Sequence, residues 1–181
     1  MTKALIVIDL QNDYATGGSM ALKGIEAAVA NAAAIIADAR KKHVPVIHVQ
    51  HVFPDGEMHF FKPDTFGVEF QKEVAPAPGE DIVVKNHINS FLKTTLQDVL
   101  DKYGATELTI IGAMSHMCID ACTRAAVDFG YPVTVVHDAC ATLDLEFNGV
   151  KAPAEHVHAA FMAALAFAYA QVKSTKEYLS A

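Results

Sequence analysis

The feature that most limits the fold of this chain is a regular alternation of short apolar runs with longer segments of helical periodicity. Five runs rich in branched apolar residues predict strands, over residues 3–10, 44–51, 80–86, 107–113 and 131–139. The first, KALIVIDL, lacks polar alternation, so we expect strands buried on both faces. Helical periodicity follows over residues 24–43, 95–104, 116–130 and 152–171. This order favours a parallel sheet covered by helices on both faces, a three-layer α/β/α fold.

Composition and charge exclude several classes of protein. The 181 residues suffice for one domain, and with 52% hydrophobic residues we expect a single compact domain over residues 1–181. The net charge is -7 and the largest basic cluster is Arg40–Lys42, so we expect no nucleic acid or membrane partner. The apolar run after Lys3 reaches Asp9 too soon for a signal peptide. Three cysteines cannot all pair internally, and we expect a cytoplasmic protein.

One long segment, Val52 to Glu80, shows neither helical nor strand periodicity. It carries five phenylalanines and four prolines, at positions 53, 60, 61, 66 and 70 and at positions 54, 63, 76 and 78. Loops of this length in compact domains are commonly functional. We therefore expect a lid over a site or a contact between subunits.

Three reactive residues fall at or just after predicted strand ends. Asp9 ends the first strand, Lys85 ends the third, and Cys118 lies in the turn that follows the fourth and opens a helix. Ligands in open α/β sheets bind outside the carboxyl ends of the strands. We therefore expect these three side chains to meet in one crevice.

Together these residues suit acyl transfer through a thioester. A helix N-terminus and a nearby lysine both favour the thiolate form of Cys118. The Asp9 carboxylate can take the thiol proton and return it to a leaving amine, while backbone N–H groups hold the oxyanion. Taken singly, Asp9 could be a loop cap, Lys85 a solvated side chain and Cys118 a core residue. The presence of all three residues at or just after predicted strand ends favours a catalytic role.

A resemblance to a known superfamily rests on three segments, ALIVIDLQNDY, VVKNHINSF and GAMSHMCIDACTRAAVDFGYPVTVVHDACAT. They are similar, in the same order, to the signature blocks of the isochorismatase-like cysteine hydrolases. The resemblance spans nearly the whole chain and implies a mostly parallel sheet of about six strands. It also implies a homo-oligomer, a dimer or a tetramer.

The resemblance assigns roles to particular residues. It implies that Cys118 is the nucleophile, that Asp9 activates it, and that Lys85 positions the carboxylate and helps to stabilise the thiolate. It further implies a cis peptide bond between Ala113 and Met114, which would direct the Met114 N–H and the Cys118 N–H toward one point. Those two amides are the expected oxyanion hole.

The cysteine narrows the expected chemistry. Isochorismatases proper cleave a vinyl ether and lack a cysteine at this position, whereas this chain has Cys118. The resemblance therefore implies hydrolysis of a C–N bond in a small amide, ureido or carbamoyl compound, without a cofactor.

Histidines near the second strand raise the question of a metal. Nicotinamidases of the superfamily carry an Asp-x-His metal motif there, but this chain reads HVQHVFP, with Gln50 and no aspartate. His48 and His51 would point to opposite faces of a strand, and His59 lies farther on. We expect no catalytic metal, and we do not expect nicotinamide as the substrate.

Other polar and aromatic residues have two interpretations each. Gln11, Phe53 and His116 could border the substrate pocket, although turn hydrogen bonds would explain Gln11 and packing would explain Phe53. Cys122 and Cys140 are expected in the core. The alternative function is a non-catalytic protein that binds a small molecule or senses oxidants, with Cys122 as the resolving thiol.

Overall fold

Within residues 2–54 and 58–181, which this computed structural model describes, the chain forms eight strands and five α-helices. The strands are β1 (Lys3–Ile8), β2 (Val46–His51), β3 (Asp81–Lys85), β4 (Glu107–Ala113), β5 (Val133–Ala141), β6 (Leu145–Phe147), β7 (Val150–Ala152) and β8 (Ala170–Lys173). The helices are α1 (Ile25–Lys41), α2 (Leu96–Tyr103), α3 (Asp120–Asp128), α4 (Ala154–Ala168) and α5 (Thr175–Leu179). Six strands form one parallel sheet in the order β3-β2-β1-β4-β5-β8, and β6 pairs with β7 in an antiparallel hairpin.

The predicted three-layer α/β/α fold is confirmed, and the strand β1 shows why the sequence specifies it. Leu5 and Val7 pack in one core with α1, while Ala4, Ile6 and Ile8 pack in a second core with α2, α3 and α4. Alternate side chains of a strand point to opposite faces, so an uninterrupted apolar run serves two cores. Each large aliphatic side chain buried in this way contributes roughly 1.5–3 kcal/mol.

The C-terminal region differs from the sequence prediction. The helix predicted over residues 152–171 ends at Ala168, and Ala170–Lys173 forms β8, the sixth strand of the sheet. Because the alanine-rich pattern continues through Tyr169 and Ala170, periodicity alone could not mark this boundary. The hairpin β6–β7 was not predicted either, although its turn, Asn148–Gly149, has the left-handed backbone that this dipeptide favours.

The strand order creates a crevice between β1 and β4. From β1 the sheet continues through β2 and β3 on one side, and from β4 it continues through β5 and β8 on the other. Such a switch point leaves space outside the carboxyl ends of the two central strands. The two strands approach closely there, because a Cβ atom on Gly112 would lie 2.0 Å from the carbonyl oxygen of Ile8. A residue with a side chain at position 112 would push the strands apart.

The long loop, residues 52–80, is attached to the segment that follows β1. It contains two short 3-10 helices, Phe66–Val68 and Lys72–Val74, and its residues 55–57 lie outside the described ranges. The buried Asp13 carboxylate accepts a hydrogen bond from the Phe61 amide at 2.6 Å. A Cβ atom on Gly67 would lie 2.2 Å from the same carboxylate. The loop is therefore tied to the strand end that carries Asp9.

The C-terminal end of the long loop is held by Glu80. Its carboxylate accepts two hydrogen bonds from the Arg40 guanidinium, at 2.8 and 2.9 Å, and one from the Ala77 amide at 2.7 Å. His48 Nε2 lies 2.9 Å from the same carboxylate. Partial burial alone would raise the pKa of Glu80, but the hydrogen bonds from Arg40, Ala77 and His48 outweigh it and lower the pKa to about 2.

None of the helices in residues 2–54 and 58–181 combines the length and the apolar character that crossing a bilayer requires.

We predict that Glu80→Gln destabilises the fold by roughly 1–3 kcal/mol near neutral pH, because charge-assisted hydrogen bonds are lost. The pKa of Glu80 is lower in the folded protein than its ordinary value of 4.5. Its contribution is therefore complete above about pH 4.5 and is lost as the pH falls toward 2. Chemical denaturation at several pH values measures the difference between wild type and variant, with Glu73→Gln on the exposed side of the loop as the control. A difference that does not shrink below pH 4.5 would contradict this assignment.

Candidate active site

The side chains of Asp9, Lys85 and Cys118 lie together at the carboxyl edge of the sheet. Lys85 Nζ is 2.9 Å from Asp9 Oδ2 and 3.1 Å from Cys118 Sγ. Their exposed fractions are 0%, 0% and 1%. The lysine ammonium therefore bridges a carboxylate and a thiol at a point closed to solvent.

Neighbouring strand ends position this cluster. Lys85 ends β3 opposite His51, which ends β2, and the Asp9 amide donates to the Val49 carbonyl of β2 at 3.0 Å. Asp9 has a left-handed backbone, with φ 55°, which aspartate tolerates better than most residues with a side chain. Three adjacent strand ends thus deliver three polar side chains to one point.

Cys118 reaches the same point through an irregular turn after β4. Residues Ser115–Ile119 form one turn of π-helix before α3, and the Met114 carbonyl accepts from the amides of Met117 at 3.0 Å and Ile119 at 3.2 Å. The peptide bond between Ala113 and Met114 is cis. Within the described ranges, the backbone hydrogen bonds outside helices and strands include none from the Met114 N–H.

The ammonium of Lys85 is held from several directions. Besides Asp9 and Cys118, it lies 2.9 Å from His51 Nδ1, and it donates to the carbonyls of His87 at 3.1 Å and Ile88 at 3.3 Å. Burial alone would lower the pKa of Lys85, but Asp9 and Cys118 outweigh it and the pKa is raised. Burial would raise the pKa of Asp9, but Lys85 and His51 lower it below its ordinary value. Both members of the ion pair are therefore charged.

The thiol of Cys118 differs from the expectation that its environment favours thiolate. Burial and the Asp9 carboxylate raise its pKa well above the ordinary range, and the opposing effect of Lys85 is too small to compensate. The resting site therefore holds a neutral thiol beside a charged carboxylate. Both carboxylate oxygens of Asp9 are buried, and neither accepts a well-aligned hydrogen bond from the described residues.

His51 is the member of this cluster whose position was not anticipated. Its Nδ1 atom lies 2.9 Å from Lys85 Nζ and 3.7 Å from Asp9 Oδ2, and its ring packs 4.1 Å from the ring of Phe53. The sequence held the signal, because His51 ends a parallel strand and so shares the edge of Asp9. His48 points to the opposite face, as predicted, and contacts Glu80.

The three residues predicted to border the substrate pocket lie in different surroundings. Gln11 is buried, and its side chain donates to the carbonyls of His51 and Val68 and accepts from the His51 amide, so its place at the border of the pocket stays a prediction. Phe53 is half-buried and packs on His51. His116 is half-buried, with Nδ1 2.7 Å from Thr142 Oγ1, and burial lowers its pKa.

Within residues 2–54 and 58–181, a single group of side chains brings three potential metal ligands together. The donor atoms of Asp9, His51 and Cys118 all lie within 4.8 Å of one another. His59, the third histidine considered from the sequence, is exposed and does not belong to this group.

Comparison with known proteins shows the family to which the chain is similar. The family model of the isochorismatase domain matches residues 3–177. An uncharacterised isochorismatase family protein of Bacillus subtilis, YddQ, is 50% identical over 179 residues, which is 99% of each chain. A candidate isochorismatase hydrolase from Oleispira antarctica has a crystal structure with a TM-score of 0.96 and 52% identity, covering 99% of this chain and 97% of that one. Nicotinamidase 3 of Arabidopsis thaliana is 31% identical over 179 residues, or 92% of this chain and 82% of the plant enzyme.

We predict that Asp9→Asn accelerates the alkylation of Cys118 by iodoacetamide at pH 7.5 by roughly tenfold or more. Asp9 raises the pKa of the thiol, so its neutralisation lets Lys85 stabilise the thiolate, and each pKa unit changes the thiolate fraction about tenfold. Peptide mass spectrometry measures the rate at each cysteine.

Asp138→Asn is the matched control, because this partly buried carboxylate accepts hydrogen bonds from Thr175 instead. An unchanged or slower reaction of Cys118 in Asp9→Asn would show that Asp9 does not hold the thiol proton in place.

Proposed function

The chain belongs to the isochorismatase family, and on that premise we propose that it is a cysteine-dependent amidohydrolase. It is a hydrolase, and the proposal concerns its mechanism and substrate class: cleavage of a C–N bond in a small amide, ureido or carbamoyl compound through a thioester. One observation carries the proposal. The Lys85 ammonium lies within 3.1 Å of both a buried carboxylate and a buried thiol.

Acylation begins with the Cys118 thiol protonated and the Asp9 carboxylate ionised. Asp9 removes the proton of Cys118 as its sulfur forms a bond to the substrate carbonyl carbon, so the thiolate exists only when it is used. The carbonyl oxygen becomes an oxyanion, which the amides of Met114 and Cys118 stabilise by hydrogen bonds. Asp9 then gives the proton to the departing nitrogen as the C–N bond breaks, and a thioester on Cys118 remains.

Deacylation uses the same groups, with water in place of the thiol as the attacking nucleophile. Asp9 takes a proton from water while the water oxygen attacks the thioester carbonyl, and the same two amides hold the second oxyanion. The proton returns to the sulfur of Cys118 as the acid product leaves. Lys85 keeps Asp9 ionised in the resting site, and its ammonium balances the negative charge as that charge moves between the carboxylate and the sulfur.

The surroundings of the site support a small and largely uncharged substrate. The cluster is closed to solvent, the rings of Phe53 and Phe61 pack against His51, and the ring of Phe60 packs against Phe53. A relative acts as a nicotinamidase, but this chain has Gln50 in the stretch where the Asp-x-His motif of those enzymes lies. We therefore do not extend nicotinamide to this protein.

The alternative of a redox sensor has less support. Cys122, its expected resolving thiol, is fully buried, and burial raises the pKa of that thiol to about 12. A resolving cysteine must supply a reachable thiolate, which these surroundings oppose. All three cysteines are free thiols, which suits the reducing cytoplasm that we propose as the location.

Self-association is part of the proposal and rests on α4. The outward side of this helix bears only alanines and a phenylalanine between Ala159 and Phe167, and Phe167 is 91% exposed. A helix that is apolar all round is normally buried by a neighbour. We propose that a second copy of the chain covers it, giving the dimer or tetramer expected from the sequence.

We predict that Phe167→Glu shifts the assembly toward the monomer, because a carboxylate cannot be buried unpaired in an apolar interface. Light scattering after size exclusion measures the mass. Phe147→Glu on the exposed β6–β7 hairpin is the control. An unchanged mass in Phe167→Glu would exclude this face of α4.

We predict that Cys118→Ala lowers hydrolysis of any accepted amide or ureido compound by roughly 10³-fold or more, because the nucleophile is lost. Intact-protein mass spectrometry with a panel of such compounds should detect an acyl adduct on wild type alone. Cys140→Ala, a buried cysteine outside the cluster, should keep both the adduct and the turnover. Turnover that survives Cys118→Ala would overturn the mechanism.

A further inference from the structure

The ammonium of Lys85 occupies the centre of a set of metal-ligand atoms. It lies 2.9 Å from Asp9 Oδ2, 2.9 Å from His51 Nδ1 and 3.1 Å from Cys118 Sγ. Asp9, His51 and Cys118 each offer one ligand atom, and those three ligand atoms lie within 4.8 Å of one another. Carboxylate, imidazole and thiolate are the ligand types that Zn²⁺ and similar soft divalent cations take from proteins. The Nζ atom of Lys85 occupies the point where such an ion would bind.

The Asp9 and His51 side chains around this point are buried and are suited to binding a cation. Asp9 and His51 are buried, with exposed fractions of 0% and 1%. Neither carboxylate oxygen of Asp9 accepts a well-aligned hydrogen bond from the described residues, although Oδ2 lies next to Nζ. A buried carboxylate in this state is stabilised by the positive charge beside it, and a metal ion supplies the same charge.

We propose that Asp9, His51 and Cys118 form a latent binding site for Zn²⁺ or another soft divalent cation, which the Lys85 ammonium keeps closed by occupying the position of the metal. The site is distinct from the Asp-x-His motif, which this chain lacks. A divalent ion cannot bind at a point that the Lys85 ammonium already occupies, 2.9–3.1 Å from the atoms of Asp9, His51 and Cys118, so Lys85 excludes metal from Cys118.

The binding reaction balances without a redox partner. In a chain that lacks the ammonium, Zn²⁺ binds the Asp9 carboxylate, the neutral His51 nitrogen and the Cys118 sulfur. The thiol proton passes to solvent as the metal–sulfur bond forms. Water completes a four-coordinate shell, as in open zinc sites.

The test replaces the charge while keeping the length of the side chain, in Lys85→Met. Co²⁺ is the probe, because a cobalt–thiolate bond absorbs in the near ultraviolet. We expect Lys85→Met to bind one Co²⁺ per chain at least 100-fold more tightly than wild type, with that absorption, and Zn²⁺ to displace it. Lys85→Met combined with Cys118→Ser should lose the absorption, and Lys85→Met combined with His51→Ala should bind at least tenfold more weakly.

The experiment stays decisive if the variant folds poorly. Lys85→Met leaves Asp9 buried without a cation, so Zn²⁺ should raise its Tm, and Lys85→Gln provides a more polar second variant. Failure of both variants to fold even in excess Zn²⁺ would overturn the proposal, since the metal should replace the missing charge. A folded variant without stoichiometric Co²⁺, equal binding without Cys118, or equally tight binding by wild type would also overturn it. None of these measurements uses turnover, so they are independent of the proposed hydrolase activity.

Discussion

The buried ion pair of Asp9 and Lys85 is the interaction on which the rest of the site depends. Two charges with no solvent exposure are stable only when paired and well surrounded, and loss of either partner leaves an uncompensated charge. The Lys85 ammonium also contacts His51 and Cys118, so one side chain links the ends of β1, β2 and β3 to the turn after β4. The same pair keeps the Asp9 carboxylate ionised next to a protonated thiol. The Asp9–Lys85 ion pair therefore both stabilises the carboxyl edge of the sheet and keeps Asp9 able to accept a proton.

Sequence reasoning anticipated the layers of the fold and the meeting of three side chains for a single physical reason. Branched apolar runs bounded by helices predict parallel strands, and the carboxyl ends of parallel strands gather at one edge. Asp9 and Lys85 end such runs, and Cys118 follows one closely. Their convergence could be inferred without knowledge of the strand order. Their roles in catalysis remain part of the proposed function.

Other features depend on three-dimensional facts that periodicity does not encode. His51 contacts Lys85 because β2 lies between β1 and β3, and strand order cannot be read from one sequence. The raised pKa of the Cys118 thiol follows from depth of burial, which outweighs the nearby lysine. The side chain of Gln11 donates hydrogen bonds to backbone carbonyls of segments that are distant in the sequence. The sixth strand, β8, continues an alanine-rich pattern that suits a helix equally well.

The resting site has a consequence for its response to solvent. One carboxylate, one ammonium and one neutral thiol sum to zero charge, and transfer of the proton from Cys118 to Asp9 leaves that sum unchanged. Dissolved ions act on net charge and are kept away from groups that are 0–1% exposed. In the proposed mechanism the Cys118 thiolate therefore forms without drawing counterions from bulk water, and ionic strength has little effect on the chemical step.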